Sequence, residues 1–269
     1  MSTLEQIYQP VIKRKVSELI PGIQVNSSNE YAVIINPGTE NARIVNFCSE
    51  KYHLVENRVV FEPIIELFSD KFKVEPQTKL IKGGAITRLD LILKDQKVNM
   101  EGVDSLHPKL SFYNSYDGSM KFQMTAAIYR QVCTNGMCIP EGAGIHVKGL
   151  HTEALEKMLN PEYLLDSAND LINRFEEAIY PFRELEAQKV RRSFEDRVVD
   201  VIEETGFPGT YRENIVDRIK LEMEKNKIAI CNDYYVYNGF NYQLNHEFDL
   251  KPAKEIGLDR QVLDHLFNY

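Results

Sequence analysis

The chain has 269 residues, 43% of them hydrophobic and 27% charged, with a formal net charge of -8. That apolar content suffices for a large core and excludes disorder as the default, while the acidity argues against a protein that coats DNA with its whole surface. No run approaches the roughly 18 apolar residues of a membrane span, and Met1-Ser2-Thr3-Leu4-Glu5 does not open a signal-type segment, so the expectation is a cytoplasmic protein with no membrane partner.

The charge is uneven. Up to Leu150 there are 17 Lys and Arg against 16 Asp and Glu; beyond it there are 15 against 24. The hydrophobic period changes at the same place, from two to 3.6. The fold expected is α+β: an antiparallel β-rich region over residues 1–150 and a helical region over residues 151–269, two halves that can share one core. Cys48, Cys133, Cys138 and Cys231 read as reduced, buried thiols, because the spacing of Cys133 and Cys138 is not Cys-x-x-Cys.

Leu4, Ile7, Val11, Val16 and Leu19 predict a helix over residues 1–20, with Pro10 as its weak point and Pro21-Gly22 as its stop. Residues 31–36 and 42–48 flank Pro37-Gly38 and read as a strand pair. Phe61, Ile64, Ile65, Phe68 and Phe72 predict an amphipathic helix over 61–72 with Pro63 in its first turn. Residues 74–103 read as strands broken at Gly83-Gly84. Between Lys71 and Lys97 stand seven basic residues (Lys71, Lys73, Lys79, Lys82, Arg88, Lys94, Lys97) against Glu75, Asp90 and Asp95, which suits either a solvated sheet face or a surface that contacts phosphates.

Asp117-Gly118 is a dipeptide favoured in tight hairpin turns, where positive φ is needed, and strands fit on both sides of it. On the second strand Met120, Phe122, Met124, Ala126, Ile128 and Val132 share a face that Arg130 interrupts. A guanidinium there needs a carboxylate or carbonyl partner; it is either a structural ion pair or a ligand-binding group.

Beyond Leu150, Thr152 is placed to cap a helix. Residues 162–204 carry a long stripe (Leu165, Ala168, Ile172, Phe175, Ile179, Phe182, Val190, Phe194, Val198, Val201) that Pro181 must kink or divide. The run Lys189-Val-Arg-Arg192 reads as a solvated face. Residues 210–227 predict a further helix, residues 234–246 an aromatic core segment, and residues 259–267 a short closing helix.

Phosphate-binding, dinucleotide-binding, zinc-protease and nucleophile-elbow motifs are all missing from the sequence. No catalytic residue, cofactor or metal is therefore assigned, although His146, His151 and Asp117 form a conceivable metal set if the fold joins them. The motifs Asn114-Ser-Tyr-Asp-Gly-Ser119, Arg130-Gln-Val-Cys-Thr-Asn-Gly136 and Lys148-Gly-Leu-His-Thr152 resemble, in order and spacing, the phage/plasmid-like protein family of unknown function. The resemblance extends to Tyr237-Asn-Gly-Phe-Asn-Tyr-Gln-Leu-Asn-His246, and it singles out Asn114, Asp117, Gly118, Asn135, His151, Thr152 and His246. Tyr116 stands where that pattern has His. The resemblance implies a phage or plasmid origin, a bacterial cytoplasmic setting and a role in mobile-element biology.

Two functional classes follow. In the first, the protein binds or anneals single-stranded DNA in replication or recombination: Lys79, Lys82, Arg88, Lys121 and Arg130 contact phosphates, Tyr113 and Tyr129 stack on bases, and the helical half builds a homo-oligomer. In the second, the acidic helices and the tyrosines engage a host, defence or phage protein.

Overall fold

The computed structural model describes residues 4–25, 27–100, 105–130, 135–138, 146–149, 160–248 and 252–268. The first half is built from antiparallel strands and the second from helices. By contacts the chain divides into two compact units. One comprises residues 1–95, 110–125 and 145–170; the other comprises residues 96–109, 126–144 and 171–269.

The first unit opens with α1 (Leu4–Ile7), β1 (Val11–Lys15) and α2 (Val16–Leu19). The single helix expected over residues 1–20 is thus not formed. Pro10 ends the first turn, and the β-branched Val11 and Ile12 are extended because they pair with β2 (Tyr31–Ile35), Val11 opposite Ile35. The expected strand pair is present: β2 pairs antiparallel with β3 (Arg43–Cys48), and a bulge interrupts the register after Val33. This small sheet has the order β1-β2-β3. One face packs Val11, Val33, Ile35, Cys48 and Tyr116 together; the other packs Val16, Ala32 and Ile34 with Ile12, Leu19 and Val25.

Helix α3 (Asn57–Lys71) begins four residues earlier than its periodicity suggested, so Pro63 sits in the helix interior rather than in the first turn. It buries Val60, Phe61, Ile64 and Phe68. Strands β4 (Val74–Ile81) and β5 (Ile86–Leu93) follow, joined at Lys82–Gly84, where Lys82, Gly83 and Gly84 all have positive φ. Glycine adopts that conformation without strain, and Lys82 does not.

After β6 (Val98–Asn99) come β7 (Ser105–Ser115), β8 (Phe122–Arg130), β9 (Asn135–Cys138) and β10 (His146–Gly149). The strand order is β10-β8-β7-β5-β4, with β6 on β7 and β9 on β8. β7 is buried along nearly its whole length on both faces. The link from β7 to β8 is longer than a two-residue turn, running from Tyr116 to Lys121, with Gly118 at φ 66°.

The second unit holds most of the helices. α4 (Pro161–Asn173) begins in the first unit and ends in the second. α5 (Phe175–Ala187), α6 (Phe194–Thr205), α7 (Arg212–Asn226), α8 (Asp233–His246) and α9 (Pro252–Phe267) follow. Pro181 lies inside α5 and divides nothing; the breaks in the long stripe fall at Arg174 and over residues 188–193. There the backbone is held extended by tertiary bonds, Val190 N to Cys231 O (3.0 Å) and Asp233 N to Gln188 O (3.0 Å). α6 has Ser193 as its N-cap, whose hydroxyl accepts from Asp196 N, and Gly206 in the left-handed conformation as its C-cap. α9 starts at Pro252, seven residues before the expected short helix. α8, the aromatic segment, is buried over most of its length.

Candidate functional site

The motif on the β7–β8 link lies in the first unit and is wired into its surroundings. Asn114 Nδ2 donates to Val55 O (3.0 Å) and to Asn57 Oδ1 (2.9 Å), and Asn57 Nδ2 donates to Ile7 O and to Thr87 Oγ1. Tyr116, 1% exposed, accepts the Asn57 backbone N–H at 2.8 Å. Asn57 is the first residue of α3, and the Glu56 side chain makes no cap bond. The phenol oxygen therefore satisfies a helix N-terminal N–H that has no partner within the helix. Burial pushes the Tyr116 phenol well above its usual range, with Asn57 pulling the other way.

Asp117 sits at the rim of this network. Its carboxylate accepts from Ser115 Oγ (2.7 Å) and Ser119 N (2.9 Å), and Lys82 Nζ lies 3.1 Å from Oδ2. Partial burial raises its affinity for a proton, but the bonds from Ser119, Ser115 and Lys82 outweigh it and hold the carboxyl below its ordinary value. The strained Lys82 backbone thus carries the cation that faces the motif carboxylate. At Gly118 a Cβ would come within 3.1 Å of Asn46 Nδ2, so β3 also approaches the loop closely.

The basic stretch does not gather into one patch. β4 has eight residues, so the exposed Lys73 and Lys82 at its two ends stand roughly 30 Å apart at about 3.3 Å per residue. Between them, half-buried Lys79 lies opposite Arg88 in the β4–β5 register. Arg88 Nε lies 3.1 Å from Asp90 Oδ2, and Ser111 Oγ donates to Asp90 Oδ1 at 2.6 Å. Lys94 pairs with Glu75 at 3.3 Å. Tyr113 is 4% exposed, whereas Lys121 is exposed. β7 alternates half-buried Ser105 and buried His107, Lys109, Ser111, Tyr113 and Ser115 with apolar Leu106, Leu110 and Phe112; the period of two in the sequence is the signal for that polar row.

In the second unit Arg130, fully buried, finds the carboxylate partner its position requires: Nη1 lies 2.6 Å from Glu222 Oε2. Arg218 Nε binds the other oxygen of Glu222 at 2.8 Å, and Arg130 lies over the Tyr234 ring at 5.3 Å. Tyr129, 3% exposed, packs its ring near His107. Asp259 accepts from Tyr237 Oη (2.9 Å) and Asn241 Nδ2 (2.9 Å), while His246 is exposed and stacks on Tyr242. Arg197 Nε and Nη2 make a two-point pair with Asp233, at the edge of an open cleft of about 810 Å³ that mixes Lys189, Arg191 and Arg192 with Asp196 and Asp200. Asn135 lies on β9, and His151 and Thr152 lie outside the described residues. Glu222, Asp233 and Asp259 were not singled out by sequence. For Glu222 the signal was its place after Ile215 and Ile219 on the buried side of α7.

Cys48 and Cys231 are buried and free; burial, with Asp233 and Glu195 nearby, pushes the Cys231 thiol up to about 12, which keeps it protonated and poorly nucleophilic. Among the described residues no group of three or more His, Cys, Asp or Glu side chains could hold a metal ion, and no helix is long and apolar enough to cross a membrane.

A family model described as Domain of unknown function (DUF932) matches residues 45–206, a span that includes the Asn114 to Ser119 and Arg130 to Gly136 motifs. No curated protein and no solved structure matches the chain.

Proposed function

The chain belongs to the DUF932 family, a domain of unknown function, and from that starting point we propose that it is a phage- or plasmid-type factor that works by binding another protein. The observation that carries this reading is the division between buried and exposed side chains. Arg130, Tyr113 and Tyr129, which a nucleic-acid surface needs in contact with solvent, are at most 4% exposed. By contrast Ile44 and Phe47, on an edge strand, are 46% and 52% exposed. Exposed large apolar side chains next to one another mark protein contact sites more often than polyanion sites.

The motif residues serve this reading as scaffold. Asn114 and Tyr116 fix the start of α3, and Asp117 with Lys82 fixes the loop beside β3. The phage or plasmid setting rests on the resemblance of the ordered motifs.

The deciding experiment pairs two measurements. Titration of labelled single-stranded DNA at low salt is expected to show no salt-dependent binding by this chain. Affinity capture with the wild-type chain and with Phe47→Glu is expected to recover a stoichiometric protein with the first bait only. Salt-dependent DNA binding, with protein capture indifferent to Phe47, would reverse the assignment.

A further inference from the structure

Beyond the protein-binding reading, we propose that the cleft at the start of α6, within the second unit, is a site for a small sugar phosphate. Lys189, Arg191 and Arg192 take the phosphate, and Asp196 and Asp200 take the sugar hydroxyl groups. The cleft has a volume of about 810 Å³ and lies between residues 187–193, the first turns of α6 and Asp233. That size is ordinary for a small-molecule site.

The basic side of the cleft lacks counter-charge. A solvated basic face takes it from acidic residues around it, but here two of those are committed elsewhere. Glu195 pairs with Lys220 at 3.4 Å, and Asp233 makes its two-point pair with Arg197. Lys189, Arg191 and Arg192 are exposed, and none has an ion-pair partner among the described residues. Three cations within four residues repel one another. A dianionic phosphate relieves that repulsion more fully than a singly charged carboxylate, and each planar guanidinium can hold two of its oxygens.

The opposite side asks for donors. Asp196 and Asp200 are four residues apart on α6 and share a face; both are exposed and without an ion-pair partner among the described residues. Ionised carboxylates only accept hydrogen bonds, so hydroxyl groups match them. An anion alone would face this wall unmatched, and a cation alone would be repelled by the basic side. A phosphate joined to a polyol satisfies both.

The cleft is also preformed. Val190 N donates to Cys231 O and Asp233 N to Gln188 O, each at 3.0 Å, and Asn232 Nδ2 donates to Glu186 O at 3.0 Å. Buried Arg197 then ties Asp233 to α6 at 3.1 and 3.3 Å. The basic segment is thus fixed to the helix through residues 231–233, and little ordering cost is left for binding.

Isothermal titration calorimetry of the full chain with ribose 5-phosphate tests the site. Binding is expected with a Kd of about 10 µM–1 mM. Arg191→Gln with Arg192→Gln should weaken it about tenfold or more, and gluconate, a polyol carboxylate, should bind the parent about tenfold more weakly. Asp200→Ala should weaken ribose 5-phosphate about fivefold yet bind inorganic phosphate at least as tightly as the parent, since it removes a hydroxyl acceptor and a repelling charge. Unchanged circular dichroism and urea midpoints keep these surface variants comparable with the parent. The inference is overturned by no binding up to about 10 mM, by binding indifferent to the arginine pair, or by gluconate bound equally well. Inorganic phosphate bound as tightly as ribose 5-phosphate would mark an anion site without a sugar side and overturns it too. None of these results bears on capture through Phe47, so this inference and the protein-binding reading fail separately.

Discussion

Arg130 and Glu222, 92 positions apart in the chain, meet in a buried salt bridge of 2.6 Å in the second unit, where β8 ends and α7 passes. Glu222 also holds Arg218, so one carboxylate serves two guanidinium groups. Removing one partner of a buried pair leaves the other charge without compensation, which is far more costly than the net worth of the pair. Glu222→Ala is expected to lower stability by about 3–5 kcal/mol in urea unfolding. The double variant Arg130→Met with Glu222→Leu should lose clearly less than the sum of the single losses. Additive losses would show that the two side chains act independently.

Tyr116 makes a second long-range connection, from the β7–β8 link to the first residue of α3. Tyr116→Phe keeps the ring in the apolar cluster with Val33 and Cys48 but removes the oxygen that accepts the Asn57 N–H. A buried N–H left without a partner costs about 1–3 kcal/mol. The loss should appear in urea unfolding and as faster amide exchange at the start of α3. An unchanged midpoint would mean that the cap contributes nothing.

These two contacts show where local pattern stops being informative. The pair β2–β3, the break at Gly83-Gly84 and helix α7 follow from periodicity and turn residues close in sequence. Residues 11–15 defeated the pattern because their conformation is decided by pairing with β2, some 20 positions away. The stripe through residues 162–204 broke at residues 188–193, where bonds to Cys231 and Asp233 hold the backbone extended, and not at Pro181. For the site, the sequence showed that Arg130 needed a partner but not which carboxylate supplies it. Equally, it marked Asn114, Tyr116 and Asp117 without revealing that the first two are buried as scaffold.

Asp117 gives the fold an acid sensitivity with a definite sign. Its folded pKa is depressed below the ordinary carboxylate value, because the bonds from Ser119, Ser115 and Lys82 overcome the opposing effect of burial. A depressed folded pKa contributes stability that is present above the unfolded value near 4 and is lost as pH falls through the folded one. Asp117→Asn should therefore be less stable than the parent at pH 7, and the gap should close as pH falls below about 4. Urea midpoints measured across that range test it. A gap that widens toward acid would contradict the assignment of Asp117 as the stabilising anion.

Gly239 and Gly257 make opposite predictions for the same substitution within helices of the second unit. A Cβ at Gly239 would lie 2.8 Å from Ile219 Cγ1 and 3.1 Å from Ile215 Cγ2, both buried on α7, so the glycine is what lets α7 and α8 approach. Alanine is favoured over glycine in a helix by about 1 kcal/mol, whereas overpacking a core costs about 1–3 kcal/mol. The clash should prevail, and Gly239→Ala is expected to lower stability by up to about 2 kcal/mol. At Gly257 in α9 nothing lies within 4 Å, so only the helix preference acts and Gly257→Ala should raise stability by about 0.5–1 kcal/mol. Both changes are read from urea midpoints against the parent. Stabilisation by both would mean that α7 and α8 do not pack at the close distance that puts Gly239 against Ile215 and Ile219.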